Sequence, residues 1–404
     1  MITENQEIAL IQPLIDNQTR IENVVVSSIV DRLKSMDTLI PSDVGKMESL
    51  YRSGSDVRKI NKKIAQLTKK SEKQIKAIIK QVAQNSYNDA KPYYDYRKMP
   101  FIPLEKNMEV QKVIRAVEMV TLGEYERLSQ ASAFMLRDFA NPKILIPTKL
   151  SKVYNKVIDN AIQSVLAGVS TYDEMIKNTI AELTDSGVKT VEYTAEKGKK
   201  HYQRLDSAVT RNILDGIKAV QQEVQNVTGE QFGADGVELS VHQYSAPDHE
   251  PVQGHQFSKE EFEKMQAGET CKDVKGKIYK GFDRPIGMWN CRHFAWNIII
   301  GHKTPNYTDE QLEKIKENNA NGISIKDKSG TPAMKSMYWC TQQRNKYELK
   351  MKKLKEAEAL AEKGQQPDLI QKYHSKLLST QNEYKYFCKK CGLKTRFEKT
   401  KIFI

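Results

Sequence analysis

The chain has no long hydrophobic run. Its longest apolar stretches, such as Val24-Val25-Val26 and Ile298-Ile299-Ile300, fall far short of the roughly 20 residues a membrane-spanning helix needs. Its opening residues, Met1-Ile2-Thr3-Glu4-Asn5, show no basic segment followed by an apolar one, so no secretory leader and no membrane anchor are expected. Cysteine is sparse and odd in number, five in 404 residues. That argues against a disulfide framework and for a reducing compartment, so a soluble protein made in a cytoplasm is the expectation. Catalytic signatures are missing as well. No Gly-x-x-x-x-Gly-Lys loop, Gly-x-Ser-x-Gly elbow or His-Glu-x-x-His helix occurs, and no enzymatic activity is expected. Repeats and low-complexity tracts are also absent.

What is present is positive charge. Lysine and arginine outnumber acids 64 to 51, for a net charge of +13. Such an excess favours polyanions, nucleic acid being the commonest, although the lysines are spread along the chain rather than clustered. At 404 residues, 39% hydrophobic and 28% charged, the chain is long enough for two or three domains with a real core.

The pattern is mainly helical. A stripe through Leu10, Leu14, Ile21, Val25, Ile29 and Leu33 predicts one long helix over residues 1–36, with Pro13 near its start or at a kink. Pro41-Ser42-Asp43 reads as a stop and a new N-cap, and a short helix is expected to end near Gly54. Two basic helices follow, the second opened by a capping box at Ser71 and Gln74. Tyr87 to Phe101, rich in tyrosine and proline, reads as an extended connector whose rings supply packing area. Further helices are predicted over 104–139, 149–168 and 171–185. The last has Thr171 and Glu174 as a capping box and Gly187 as its stop. From Val188 the texture changes. A strand at Val188–Tyr193, a basic loop to Arg204, a helix from Leu205 to Val227 and a strand at Val237–His242 read as a small α/β unit. One more strand is expected at Gly276–Lys280. After Pro305 the chain returns to helix, with acids and bases alternating over 335–363, a turn at Gly364–Pro367 and a second helix to Cys388. The expected fold class is therefore mainly α with a small central α/β (α+β) domain, long N-terminal helices and a C-terminal helical hairpin. Its domains are expected at 1–187, 188–305 and 306–404.

The side chains suited to chemistry concentrate between Val237 and Gly301. Five of the seven histidines (His242, His249, His255, His293 and His302) lie in or beside that window. His242, His249, Cys291 and His293 offer nitrogen and sulfur ligands from two segments, a set that suits tetrahedral zinc. Against it, Cys291-x-His293 is shorter than the usual gap of two to four residues between zinc ligands. The alternative is a polar motif in which His249, Asn290 and Arg292 hydrogen-bond across a loop-rich fold. A metal-dependent hydrolase or nuclease is a rival reading, since Asp248-His249 with Asn290 and His293 superficially echoes an HNH arrangement. The interval from Asn290 to His293 is too short for that finger. A general nucleic-acid-binding protein is the third. Cys388-x-x-Cys391 stands alone, without the second pair a zinc ribbon needs.

The same window carries a resemblance. His242, Ala246, His249, Gln253 and Gly254, then Gly287, Asn290, Cys291, Arg292, His293 and Gly301, resemble the pattern of the second family of phage minor capsid proteins. That family is akin to head-morphogenesis proteins of the Mu F kind. Gln253, Gly254, Asn290 and Arg292 are thereby implied as motif residues. Val252 stands where the pattern has a tryptophan, and Ala295-Trp296-Asn297 replaces a proline-containing segment. The tail, through Phe387, Lys389, Gly392 and Leu393, resembles how such proteins end. The resemblance implies a non-enzymatic virion protein, made in the host cytoplasm and carried in the head interior or at the portal vertex. It further implies the portal protein as a partner, major capsid or scaffold proteins as others, and packaged double-stranded DNA as a neighbour.

Overall fold

The computed structural model describes residues 4–36, 55–137, 141, 143–166, 171–186, 188–194, 200–281, 284–287, 291, 293–326 and 332–402. The stop and cap expected at Pro41–Asp43, the short helix before Gly54 and the stop at Gly187 lie outside these residues, as do Asn290 and Arg292.

Helix α1 (Glu4–Met36) runs through Pro13 and buries Leu14, Val25, Ile29 and Leu33. It packs on α2 (Ser55–Asp89), which is one continuous helix and not the two that were expected. No glycine or proline interrupts residues 55–89. The supposed capping pair is used sideways: Asn17 of α1 donates to the Ser71 hydroxyl at 3.3 Å and to Gln74 Oε1 at 2.8 Å. The connector that follows folds into α3 (Lys91–Arg97) rather than staying extended. Its rings do supply packing, with Tyr93 stacked 4.7 Å from Phe232 and Tyr87 4.7 Å from Phe101.

Helix α4 spans Met108–Gln130, capped by the Asn107 side chain. It stops well short of residue 139, because Ser132–Arg137 forms strand β1. This strand lies between β2 (Leu145–Lys149) and β3 (Val188–Thr194), in an antiparallel sheet that ends in β4 (Lys200–Arg204) and has the order β2-β1-β3-β4. Its residues Ala133 to Leu136 are all buried. A short, continuously apolar run of this kind cannot be told from buried helix by periodicity. Helices α5 (Leu150–Leu166) and α6 (Tyr172–Ser186) match expectation. The Thr171 hydroxyl accepts the Glu174 N–H at 3.2 Å while Glu174 accepts the Thr171 N–H at 2.9 Å.

Two readings around residue 200 are corrected. Lys200–Arg204 is not loop but strand β4. The expected α/β unit over 188–242 does not form either, since β3 pairs with β1 and β4 while the strand after the next helix joins another sheet. That helix, α7 (Leu205–Phe232), is the axis of the molecule. Val209, Ile213, Ile217, Val220 and Val224, spaced by three and four, share one core with α1, α2, α4, α5 and α6. The small lobe sits along α7. Its sheet, β6-β5-β9, is made of β5 (Gly236–Leu239), β6 (Gln256–Ser258) and β9 (Ala295–Ile298), all antiparallel. Helix α8 (Lys259–Gln266) and the ribbon of β7 (Cys271–Lys272) and β8 (Ile278–Tyr279) complete it.

Beyond it come α9 (Asp309–Ala320), a ribbon of β10 (Ile323–Lys326) and β11 (Pro332–Lys335), and a hairpin of α10 (Met337–Lys363) and α11 (Pro367–Lys390). The alternating charges of α10 suggested a solvated helix, yet one face is buried. Lys352 bonds Thr19 of α1 at 2.8 Å and Asp206 of α7 at 3.0 Å. Arg204 joins the same cluster, 3.2 Å from Glu22 and 3.3 Å from Asp206. First, middle and last thirds of the chain thus meet in one buried ionic network. No described helix is long and apolar enough to cross a membrane.

Candidate functional site

The site grows from the end of β5. Ser240, just past the strand, accepts the Phe294 N–H on its hydroxyl at 2.8 Å, and that oxygen lies 2.9 Å from His242 Nε2. The backbone N–H of His242 donates to Gln253 Oε1 at 3.1 Å. Gln253 is buried, and it is followed by a turn that requires glycine. Gly254 has φ of 76°, donates its N–H to Leu239, and would place a Cβ 2.5 Å from Leu312. Val252, fully buried, packs with Phe257 and Met265 in the lobe's core.

Between these points a turn brings His249 inward, followed by a short 3-10 helix at Glu250–Val252. Asp248 beside it accepts a bidentate Arg284 pair, both contacts 2.8 Å. This pairing holds the Arg284 carbonyl where His249 Nε2 meets it at 2.6 Å. The other ring nitrogen, Nδ1, lies 3.0 Å from Cys291 Sγ. On the far side, Cys291 Sγ is 3.5 Å from His293 Nδ1 and receives the His293 N–H at 3.4 Å. His293 Nε2 returns to Gln253 Oε1 at 3.2 Å. Lys218 of α7 donates to the Cys291 carbonyl and anchors the segment from beneath.

Three of the four expected ligands therefore converge. His249, Cys291 and His293 are buried, with one ligand atom from each lying within 4.8 Å of the others. His242 is not part of that trio. Its ring stands edge-on to His293, 5.1 Å between centroids, with Nε2 turned to Ser240.

The electrostatics of the trio are uneven. Burial would raise the Cys291 thiol, but hydrogen bonds from His249 and from the Gly287 and His293 backbone outweigh it and hold the thiol below its ordinary range. Burial would lower His249, but the sulfur contact and the Arg284 carbonyl outweigh that and hold it above its usual value. His293 is pushed down to about 2 by burial first and then by His242 and His249, so it is neutral.

The sequence did not point to the residues that hold this cluster in place. Arg284 and Lys218 act through pairings 36 and 73 positions apart, and Asp248, which the sequence offered only beside His249 in an HNH-like echo, instead pairs with Arg284. A second buried polar group, Asp273 with His255 at 3.2 Å and Tyr279 at 3.1 Å, was also unforeseen. Cys388 and Cys391 lie with Cys340, Met351 and Leu377 in the C-terminal core.

A family model described as phage minor capsid protein 2 matches residues 2–389. No curated protein and no solved structure shows a significant match.

Proposed function

The chain belongs to the phage minor capsid protein 2 family, and from that premise we propose that it is a portal-associated head protein that rests against packaged DNA through the lysine face of α2. Family membership makes it a structural component of the virion. The DNA contact is carried by one observation. Lys59, Lys62, Lys63, Lys69, Lys70, Lys73, Lys76 and Lys80 are all exposed along α2. At about 100° and 1.5 Å per residue they occupy an arc of roughly 140° over about 32 Å. They are spread in sequence but aligned in space, and the stripe is about as long as one turn of duplex. Lys76 is tied across helices to Glu118 of α4 at 3.2 Å.

Such a face neutralises phosphates without reading bases. The portal contact is assigned to the helical region 1–187. There α4 exposes Met119 and Val120, 74% and 73% accessible, an apolar patch suited to a protein partner. The segments 188–305 and 306–404 then serve as the motif-bearing lobe and its bracing hairpin, with no catalytic role.

The test is duplex binding by the purified protein across a salt series. The account expects sequence-independent binding whose logarithm falls steeply with the logarithm of salt. Lys62→Gln, Lys69→Gln, Lys73→Gln and Lys80→Gln together should flatten the slope by roughly 3 to 4. A slope unchanged in a folded variant would remove α2 from the DNA contact.

A further inference from the structure

The hydrogen bonds around His249, Cys291 and His293 fix the proton on the outer nitrogen of each ring. A carbonyl oxygen only accepts, so His249 Nε2, 2.6 Å from the Arg284 carbonyl, carries its ring's proton. Gln253 Oε1 accepts the His242 backbone N–H at 3.1 Å, which settles its amide orientation. His293 Nε2, 3.2 Å from that same oxygen, is therefore also the donor. His293, a neutral ring, accordingly turns an unprotonated Nδ1 toward Cys291 Sγ at 3.5 Å, while His249 Nδ1, 3.0 Å from the same sulfur, shares one proton with it. One thiol proton cannot serve both nitrogens. Two ring nitrogens and a sulfur within 4.8 Å of one another, with each imidazole braced by an acceptor on its opposite nitrogen, is the arrangement of histidines that hold a metal.

We propose that His249, Cys291 and His293 bind one zinc ion per chain, through both Nδ1 atoms and the Cys291 sulfur. The spacing fits. Bonds of about 2.3 Å to sulfur and 2.0–2.1 Å to nitrogen place tetrahedral ligand atoms about 3.5 Å apart. The two sulfur–nitrogen distances here, 3.0 and 3.5 Å, lie within about half an ångström of that value. Water or one further side chain completes the tetrahedron. The Cys291-x-His293 spacing that argued against zinc matters less than it seemed, because His249 supplies the third ligand from 42 positions away.

The role is structural. The three residues are 0, 3 and 5% exposed, which leaves no approach for a substrate. The ion clasps the turn that carries His249 to the segment that enters β9, across a lobe whose strands are only two to four residues long. One proton leaves per ion bound, whether it starts on sulfur or on His249 Nδ1. The site is independent of the DNA contact on α2, and either assignment can fail alone.

The experiment is elemental analysis of the full chain, followed by removal of metal with chelator and titration with cobalt(II). About one zinc per chain is expected, and cobalt should give visible d–d bands with a thiolate-to-cobalt charge-transfer band. Cys291→Ser should abolish the charge-transfer band, and His293→Ala should cut retained zinc roughly tenfold or more. Cys271→Ser, at a buried cysteine outside the trio, should change neither. A folded wild type with no zinc and no cobalt–thiolate band would overturn the proposal. So would Cys291→Ser that keeps a full zinc complement. Should the variants not fold, the cobalt spectrum of the wild type decides alone.

Discussion

Glu356 and Asp206 sit in the same buried network and respond to it in opposite ways. Burial, and then the neighbouring Glu22, push the Glu356 carboxyl up to about 7. An acid raised in the folded state keeps its proton where the unfolded chain has released it. Stability from this group therefore falls as pH rises from the ordinary carboxylate range to about 7, and is level above. For Asp206, burial would raise the carboxyl, but Arg204 and Lys352 outweigh it and hold it well below the usual range. Its contribution is intact at neutral pH and is lost as pH falls through the folded value. Glu356→Gln should accordingly stabilise the protein at about pH 8 by roughly 1–3 kcal/mol, with the gain shrinking toward pH 5. Chemical denaturation at the two pH values reads this, and an equal effect at both would refute it. Arg204→Ala removes the buried guanidinium between Glu22 and Asp206 and leaves Asp206 to Lys352, and should cost about 3–5 kcal/mol. Gly254→Ala meets both a left-handed backbone and Leu312, and should cost about 1–3 kcal/mol in urea unfolding.

At this scale the sequence was informative about identity and poor about pairing. His249, Cys291 and His293 stood out as rare residue types in one window, and the structure brings them together. His242 was grouped with them by type alone, and its ring turns to Ser240 instead. Nothing in a linear pattern announces that Arg284 would brace His249 from 35 positions away.

At the scale of elements, the long helices were legible because their apolar residues recur every three to four positions over several turns. Errors came where periodicity is silent or where polar residues have tertiary uses. Ser132–Arg137 is an apolar run too short to declare its type, and only its place between β2 and β3 makes it a strand. Ser71 and Gln74 looked like a cap, whereas their work is to bind Asn17 of α1. Asn17→Ala should loosen the α1–α2 seam by about 1–2 kcal/mol while leaving helix content unchanged. Circular dichroism with urea unfolding separates the two effects. A loss of helicity at 25 °C would contradict this. The charge alternation of α10 was read correctly as helix and incorrectly as wholly solvated. Lys352 and Glu356 are spaced as surface pairs but turn toward Asp206 and Glu22.

For the whole molecule, one buried network joins α1, α7 and α10, while the lysine stripe of α2 and the apolar residues of α4 face outward. The proposed function uses this division, with α2 for nucleic acid and α4 for a protein neighbour. Family membership places the chain in the virion, and the proposal places α2 against DNA. The direct measurement is ultraviolet crosslinking of purified, DNA-filled particles followed by mass spectrometry of this chain. The account predicts that the chain is present in the particles and carries nucleotide adducts on peptides from 55–89. Particles that contain the chain with adducts only elsewhere, or none at all, would contradict it.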